Sequence, residues 1–135
     1  MIECCRDIVL NTLNNLINKY GQDLKNEQWV LEPLADMVIS FSVMHLGFLR
    51  YDILKDRIKE LNTLPVFRAS LSRHIDILIL KCKLINNYIY NEIDSKDENN
   101  KIESKIKSFK WYVDIISLEQ TIAKTFLKHG KYYLD

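Results

Sequence analysis

A chain of 135 residues is enough for one domain with a single core and too short for two. Its composition, 47% hydrophobic and 27% charged, is that of an ordinary globular protein and argues against disorder. A formal charge of +1 gives no whole-chain electrostatic case for nucleic acid or for an anionic membrane.

Three Gly and two Pro suit long helices better than a turn-rich sheet protein. Cys4, Cys5 and Cys82 are odd in number and include an adjacent pair, so they read as reduced thiols of a cytoplasmic protein, not as a disulfide framework. Glu3, Arg6 and Asp7 interrupt any signal-peptide apolar region. The longest nearly uncharged run, Met37 to Leu49, is too short to span a bilayer and contains His45.

The first predicted helix covers about 2–20. Ile2, Val9, Leu13, Leu16 and Tyr20 form its stripe, Ile8, Leu10 and Ile17 widen it, and Asn11, Asn14, Asn15 and Asn18 face water. Met1 and Ile2 start directly into the pattern without an N-cap, as at a cut into a longer helix or at a frayed native start. Gly21 is placed to end the helix in the left-handed conformation.

The second helix, about 26–50 and continuing to 61, is the element around which the rest is arranged. Val30, Leu34, Met37, Val38, Phe41, Met44 and Phe48 recur at steps of three and four and share one face. Nearly every other position through Leu49 is apolar or small, so the expectation is a helix enclosed by its neighbours. Pro33 kinks the helix if Asp23 is the cap and disturbs it less if the helix starts near Asn26. Gly47 admits a close neighbour or marks a bend.

From Asp52 to Leu61 charges alternate in sign around a narrow apolar stripe, a solvated extension or a short extra helix. Pro65 opens the third helix, about 66–93, with Leu71, His74, Ile75, Leu78, Cys82, Ile85 and Ile89 on one face and Ile77, Leu84 and Tyr88 extending it. Asp94 to Asn100 is polar throughout and reads as a loop. The fourth helix, about 101–129, carries Ile102, Ile106, Phe109, Val113, Ile116, Ile122 and Phe126, with Lys124, Lys128 and His129 near its end and Gly130 after it. The fold class is all-α, an up-down four-helix bundle forming one domain.

Chemistry-bearing residues are sparse. His45 has Ser42 three residues before it but no relay partner at helical spacing, and reads as a packing histidine. Asp36 lies in a very apolar stretch and calls for a cationic partner, with Arg50 and Arg68 as candidates for a structural ion pair that fixes register. No CxxC, HxxxH, ExxH, GxGxxG or GxxxxGK[ST] pattern occurs, so the sequence points to no catalytic, metal or cofactor-binding residue. Lys101, Lys105, Lys107 and Lys110 read as a solvated face, because the acidic run before them cancels most of the local field.

The stretch EQWVLEPLADMVISFSVMHLGFLRY resembles the C-terminal helical extension of bacterial acyl-CoA dehydrogenases, the long form related to the very-long-chain enzymes. The residues that carry the likeness are Glu27-Gln28, Leu34-Ala35-Asp36, Met44 and Leu49-Arg50; IVLNTLNNLINKYGQDL resembles the helix that leads into it, and GKYYL the family's closing segment. The resemblance implies a part of a fatty-acid β-oxidation enzyme whose FAD and catalytic glutamate lie in upstream domains, so this chain itself holds no cofactor. It implies a non-catalytic assembly or dimerisation domain whose partner is a second copy or the dehydrogenase core. The chain departs from the family in its polar stretch 94–100 and lacks a strongly basic amphipathic helix, which argues against membrane contact.

Trp29, Met37, Phe41 and Met44 are the candidate packing or interface residues. The alternative is a free-standing binding module that takes an acyl chain or a partner helix into an apolar cavity between the second and third helices. An enzyme in its own right would need His45, Asp36 and Ser42 to converge, and Asp36 and Ser42 lie on different faces.

Overall fold

The computed structural model describes residues 1–54 and 63–108, apart from the side chains of 54, 63–66, 68 and 69, together with the helical positions 120, 123, 124, 127 and 128. Among the described residues the protein is an all-α bundle. Helix α1 is Ile2–Tyr20, α2 is Gln28–Leu54, α3 is Thr63–Ile89 and α4 is Glu92–Lys107, with a 3-10 turn, Gly21–Asn26, between α1 and α2.

Gly21 ends α1 at φ 55°, a conformation that costs a side chain-bearing residue energy, and its N–H is donated to Ile17 O. The tight turn that follows folds α2 back against α1. Because α2 begins at Gln28, Pro33 falls in its second turn, where it lacks the N–H that would reach the carbonyl four residues back.

The core lies where α1, α2 and α3 meet. Leu16 of α1, Val30, Met37 and Met44 of α2, and Ile75, Leu78, Cys82 and Ile85 of α3 are sealed from solvent in one cluster. Side-chain pairs fix the directions. Trp29 packs edge-on against Tyr88, with ring centroids 4.2 Å apart, and Phe48 and Tyr51 both reach Phe67, so α2 and α3 are antiparallel. Thr12 lies against Cys82, while Lys19 Nζ donates to Tyr88 O at 2.7 Å and Ile89 O at 3.1 Å, so α1 and α3 are parallel. Lys19 thereby places a cation on the carbonyl end of α3, where the helix dipole favours it. Gly47 sits at the α2–α3 contact, and the close neighbour it admits is the Phe67 ring.

The enclosed second helix expected from the sequence is corrected. The predicted face is the inner one, with Val30, Leu34, Met37 and Met44 buried and Phe41 and Phe48 packed against the core, but Val38, expected on that face, is 45% exposed on the outer side. Among the described residues nothing covers the opposite face. Three helices are not enough to surround a fourth side of α2, and α4 packs on α3 instead.

The predicted loop at Asp94 to Asn100 is also corrected, since it lies inside α4. The chain turns at Tyr90 and Asn91. Asn91 accepts the Asp94 N–H at 2.9 Å and donates its amide to Asp94 Oδ2 at 2.8 Å, a helix cap that starts α4 eight residues before the expected loop would have ended. The polar side chains are then used for docking. Asn86 donates to Asn99 Oδ1 at 2.9 Å and Ser95 to Asn87 Oδ1 at 2.5 Å, while Ile106 is fully buried. Glu103 is held between Lys83 of α3 and Lys107 one turn on, each at 2.5 Å. The charged stretch beyond Leu54, and Phe109, Val113, Ile116, Ile122, Phe126, His129 and Gly130, lie outside the described residues; Lys124 and Lys128 are helical and exposed.

Two outcomes follow from this packing. A Cβ at Gly47 would meet the Phe67 ring at 3.5 Å, an ordinary contact, so Gly47→Ala should raise stability in urea unfolding by ~0.5–1 kcal/mol through helix propensity, and Gly47→Leu should lower it. Lys107 first and Lys83 second hold the Glu103 carboxyl down at about 2. That contribution is complete above the ordinary value of 4.5 and is lost as pH falls through about 2. Thermal unfolding over that acid range should therefore show a steeper loss in the wild type than in Glu103→Gln.

Candidate functional site

The groups capable of chemistry do not assemble. Ser42 donates its hydroxyl to Val38 O at 2.8 Å, one turn back on its own helix, so its proton is engaged there and not by His45. His45 is exposed and lies beside Phe41, ring centroids 5.8 Å apart. His74 is half-buried; burial, then the Arg73 charge, pushes its pKa down. Burial pushes the Cys5 thiol up to about 11, helped by Cys4, and burial likewise pushes Cys82 up. Thiols held protonated in this way are poor nucleophiles. Among the described residues no three His, Cys, Asp or Glu side chains come together as a metal could require.

Asp36 does form an interhelical ion pair, but the partner the structure gives it is Lys81 of α3, with Nζ and Oδ2 2.8 Å apart. Of the two arginines expected from the sequence, Arg50 is near the far end of α2, and the side chain of Arg68 is outside the described residues. The pair is more open than the apolar sequence around Asp36 suggests, with 40% of that side chain accessible, because Asp36 lies at the margin of the α2–α3 seam. The hydrogen bond to Asp36 is the main cause of the raised Lys81 pKa.

Of the four interface candidates, Met37 and Met44 are fully buried in the protein's own core and Phe41 packs against it. Trp29 is 47% exposed, its ring set against Tyr88 and its indole N–H donated to Glu27. Met37, Met44 and Phe41 therefore serve as packing residues of the protein's own core.

The surface that does stand out is the outer face of the same helix. Ile39, Leu46 and Ile53 are 59%, 67% and 66% exposed, and Val38, Val43 and Leu49 are exposed beside them. Ala35 and Ser42 lie in the same row. Between Asp36 and Arg50 this face carries no charge but a histidine at its edge. Elsewhere the exposed apolar residues are fewer, as with Leu10 and Ile17 on α1 and a shorter row of Leu80, Leu84 and Tyr88 on α3. A contiguous apolar surface on one helix is unusual for a protein that stays alone in water.

A concavity lies between α3 and α4, an open cleft of about 530 Å³ bordered by Lys83, Asn87, Ser95 and Asn99 among others. Its polar groups are largely engaged in docking α4, Lys83 on Glu103 and Asn87 on Ser95 and Asn99. The facing positions between α2 and α3, where an acyl-chain cavity was one expectation, are occupied by Met37, Met44, Ile75 and Leu78, none more than 1% exposed.

By length and composition α2 could also cross a membrane, over Gln28–Ile53, but a third of its most apolar window of 18 residues is buried inside the bundle. No family model matches the chain, and no curated protein or solved structure matches it.

Proposed function

We propose that this chain is a non-catalytic helical assembly module that works by burying the outer face of α2 against a second protein surface. The observation that carries the reading is the bare row from Ala35 to Ile53, apolar but for Ser42 and on the side of α2 away from the core. Burial of one large aliphatic side chain is worth ~1.5–3 kcal/mol. Four such residues on each side of a symmetric contact offset an association cost of ~4–15 kcal/mol.

The resemblance of residues 27–51 to the extension of acyl-CoA dehydrogenases makes a second copy and a dehydrogenase core the two partners to try. In that reading FAD belongs to the partner. Cys4, Cys5 and Cys82, all free and buried, suit a reducing compartment such as the cytoplasm. A protein partner suits the face better than a bilayer does, because its two ends carry Asp36 and Arg50 and its inner side is engaged with α1 and α3.

Sedimentation velocity of the full chain over a range of concentrations tests the proposal. The expected result is concentration-dependent association, or co-sedimentation with an acyl-CoA dehydrogenase core. A monomer at every concentration that also ignores that core would remove the assembly reading.

A further inference from the structure

The exposed residues of α2 follow a heptad. Ala35, Ile39, Ser42, Leu46, Leu49 and Ile53 succeed one another at alternating steps of four and three, and every one is exposed. A surface helix that only covers its own core needs one such stripe, and α2 already has it on the inner side. A second stripe at the coiled-coil period is the pattern by which one helix meets another at a shallow angle. Resting on the assembly reading, we infer that α2 pairs antiparallel with α2 of a second copy of this chain, across a two-fold axis beside Val43.

The register comes from size and charge together. In an antiparallel pair, large residues of one helix lie over the positions between them on the other. Leu46 then sits over the partner's Ser42, and Ile53 over the partner's Ala35, so the large side chains fill the space left by the small ones. Ile39 meets the partner's Leu49. The same register brings Asp36 to the partner's Arg50 at both ends, opposite charges flanking an uncharged seam. Asp36 keeps Lys81 through Oδ2 and has its other oxygen to offer.

A parallel pair does none of this. It would set Ser42 against the partner's Ser42 and Ala35 against the partner's Ala35, leaving gaps, and would bring no opposite charges together. The occupant that matches both the size alternation and the charge placement of this face is therefore the face itself, inverted. The seam runs from Ala35 to Ile53, a span of about 27 Å at the helical rise.

The test uses the full chain with two kinds of variant. Leu46→Glu places a charge at the seam without touching the core, since Leu46 is 67% exposed; it should weaken dimerisation by roughly 100-fold or more while circular dichroism stays helical. Val43→Cys should be linked into a dimer by a short bis-maleimide, and Ile53→Cys should not, because only the former lies beside the axis. The native thiols are buried, and the wild type serves as the blank.

A dimer that survives Leu46→Glu, or one linked at 53 but not at 43, would overturn this pairing and leave the assembly reading standing. A wild-type monomer that binds a dehydrogenase core through the same face would do likewise. A wild-type monomer that co-sediments with phosphatidylglycerol vesicles, or that associates with nothing, would overturn both.

Discussion

The antiparallel packing of α2 on α3 is the contact on which the rest of the molecule depends. It is the most extensive interface in the described structure, and it is tied at both ends and in the middle. Trp29 on Tyr88 holds one end, Phe48 and Tyr51 on Phe67 hold the other, and Asp36–Lys81 lies between. The aromatic pairs and the buried aliphatic side chains between them supply the energy. The half-exposed ion pair contributes little, since solvent screens it, and serves chiefly to favour one register over a slip. Once this pair of helices is set, α1 can cover only one side of it, and the direction of α1 follows from the short turn at Gly21.

The two helices added to this pair are held by different physics. α1 docks through apolar burial at Cys5, Ile8, Val9 and Leu16, with Thr12 accommodated by donating to Ile8 O within its own helix. α4 docks on α3 largely through amides, a hydroxyl and a three-membered charge cluster, with Ile102 and Ile106 as its apolar anchors. Each polar group there is useful only when its partner is in place, so the contact is specific but sensitive to acid and to loss of any one member. That division places the polar adhesive on the α3 side and leaves the outer side of α2 as the apolar one.

How much of this could be read from the sequence follows the same line. Periodicity gave the inner face of α2 and the core face of α3 nearly residue by residue, because a burial pattern repeats with the helix. Periodicity could not say whether Ile39, Leu46 and Ile53 were covered, since an apolar residue at the right step looks the same whether or not a neighbour exists. Composition misread Asp94 to Asn100 as a loop: polar residues mark a loop only when water is their partner, and here Asn86, Asn87 and Asn91 take that role. The partner of Asp36 was out of reach for a related reason, as Lys81 is 45 positions away and nothing local marks it. The Asn91 cap three residues before Asp94 was a signal available in the sequence that the polar run concealed.

The two sides of α2 also differ in kind, and the difference bears on what the outer one is for. The inner side mixes Met, Val, Leu and Phe without regular alternation, as suits a core whose neighbours come from two helices at different angles. The outer side sets Ala35 and Ser42 among large aliphatic residues at heptad spacing, with the large Leu49 at the next such step, and carries Asp36 and Arg50 near its ends. An irregular apolar surface can be filled by many shapes. A regular one, small against large along a straight helix, is satisfied only by another straight helix with the complementary order. The heptad spacing and its length separate the outer face of α2 from Leu10 and Ile17 on α1 and from the shorter row Leu80, Leu84 and Tyr88 on α3.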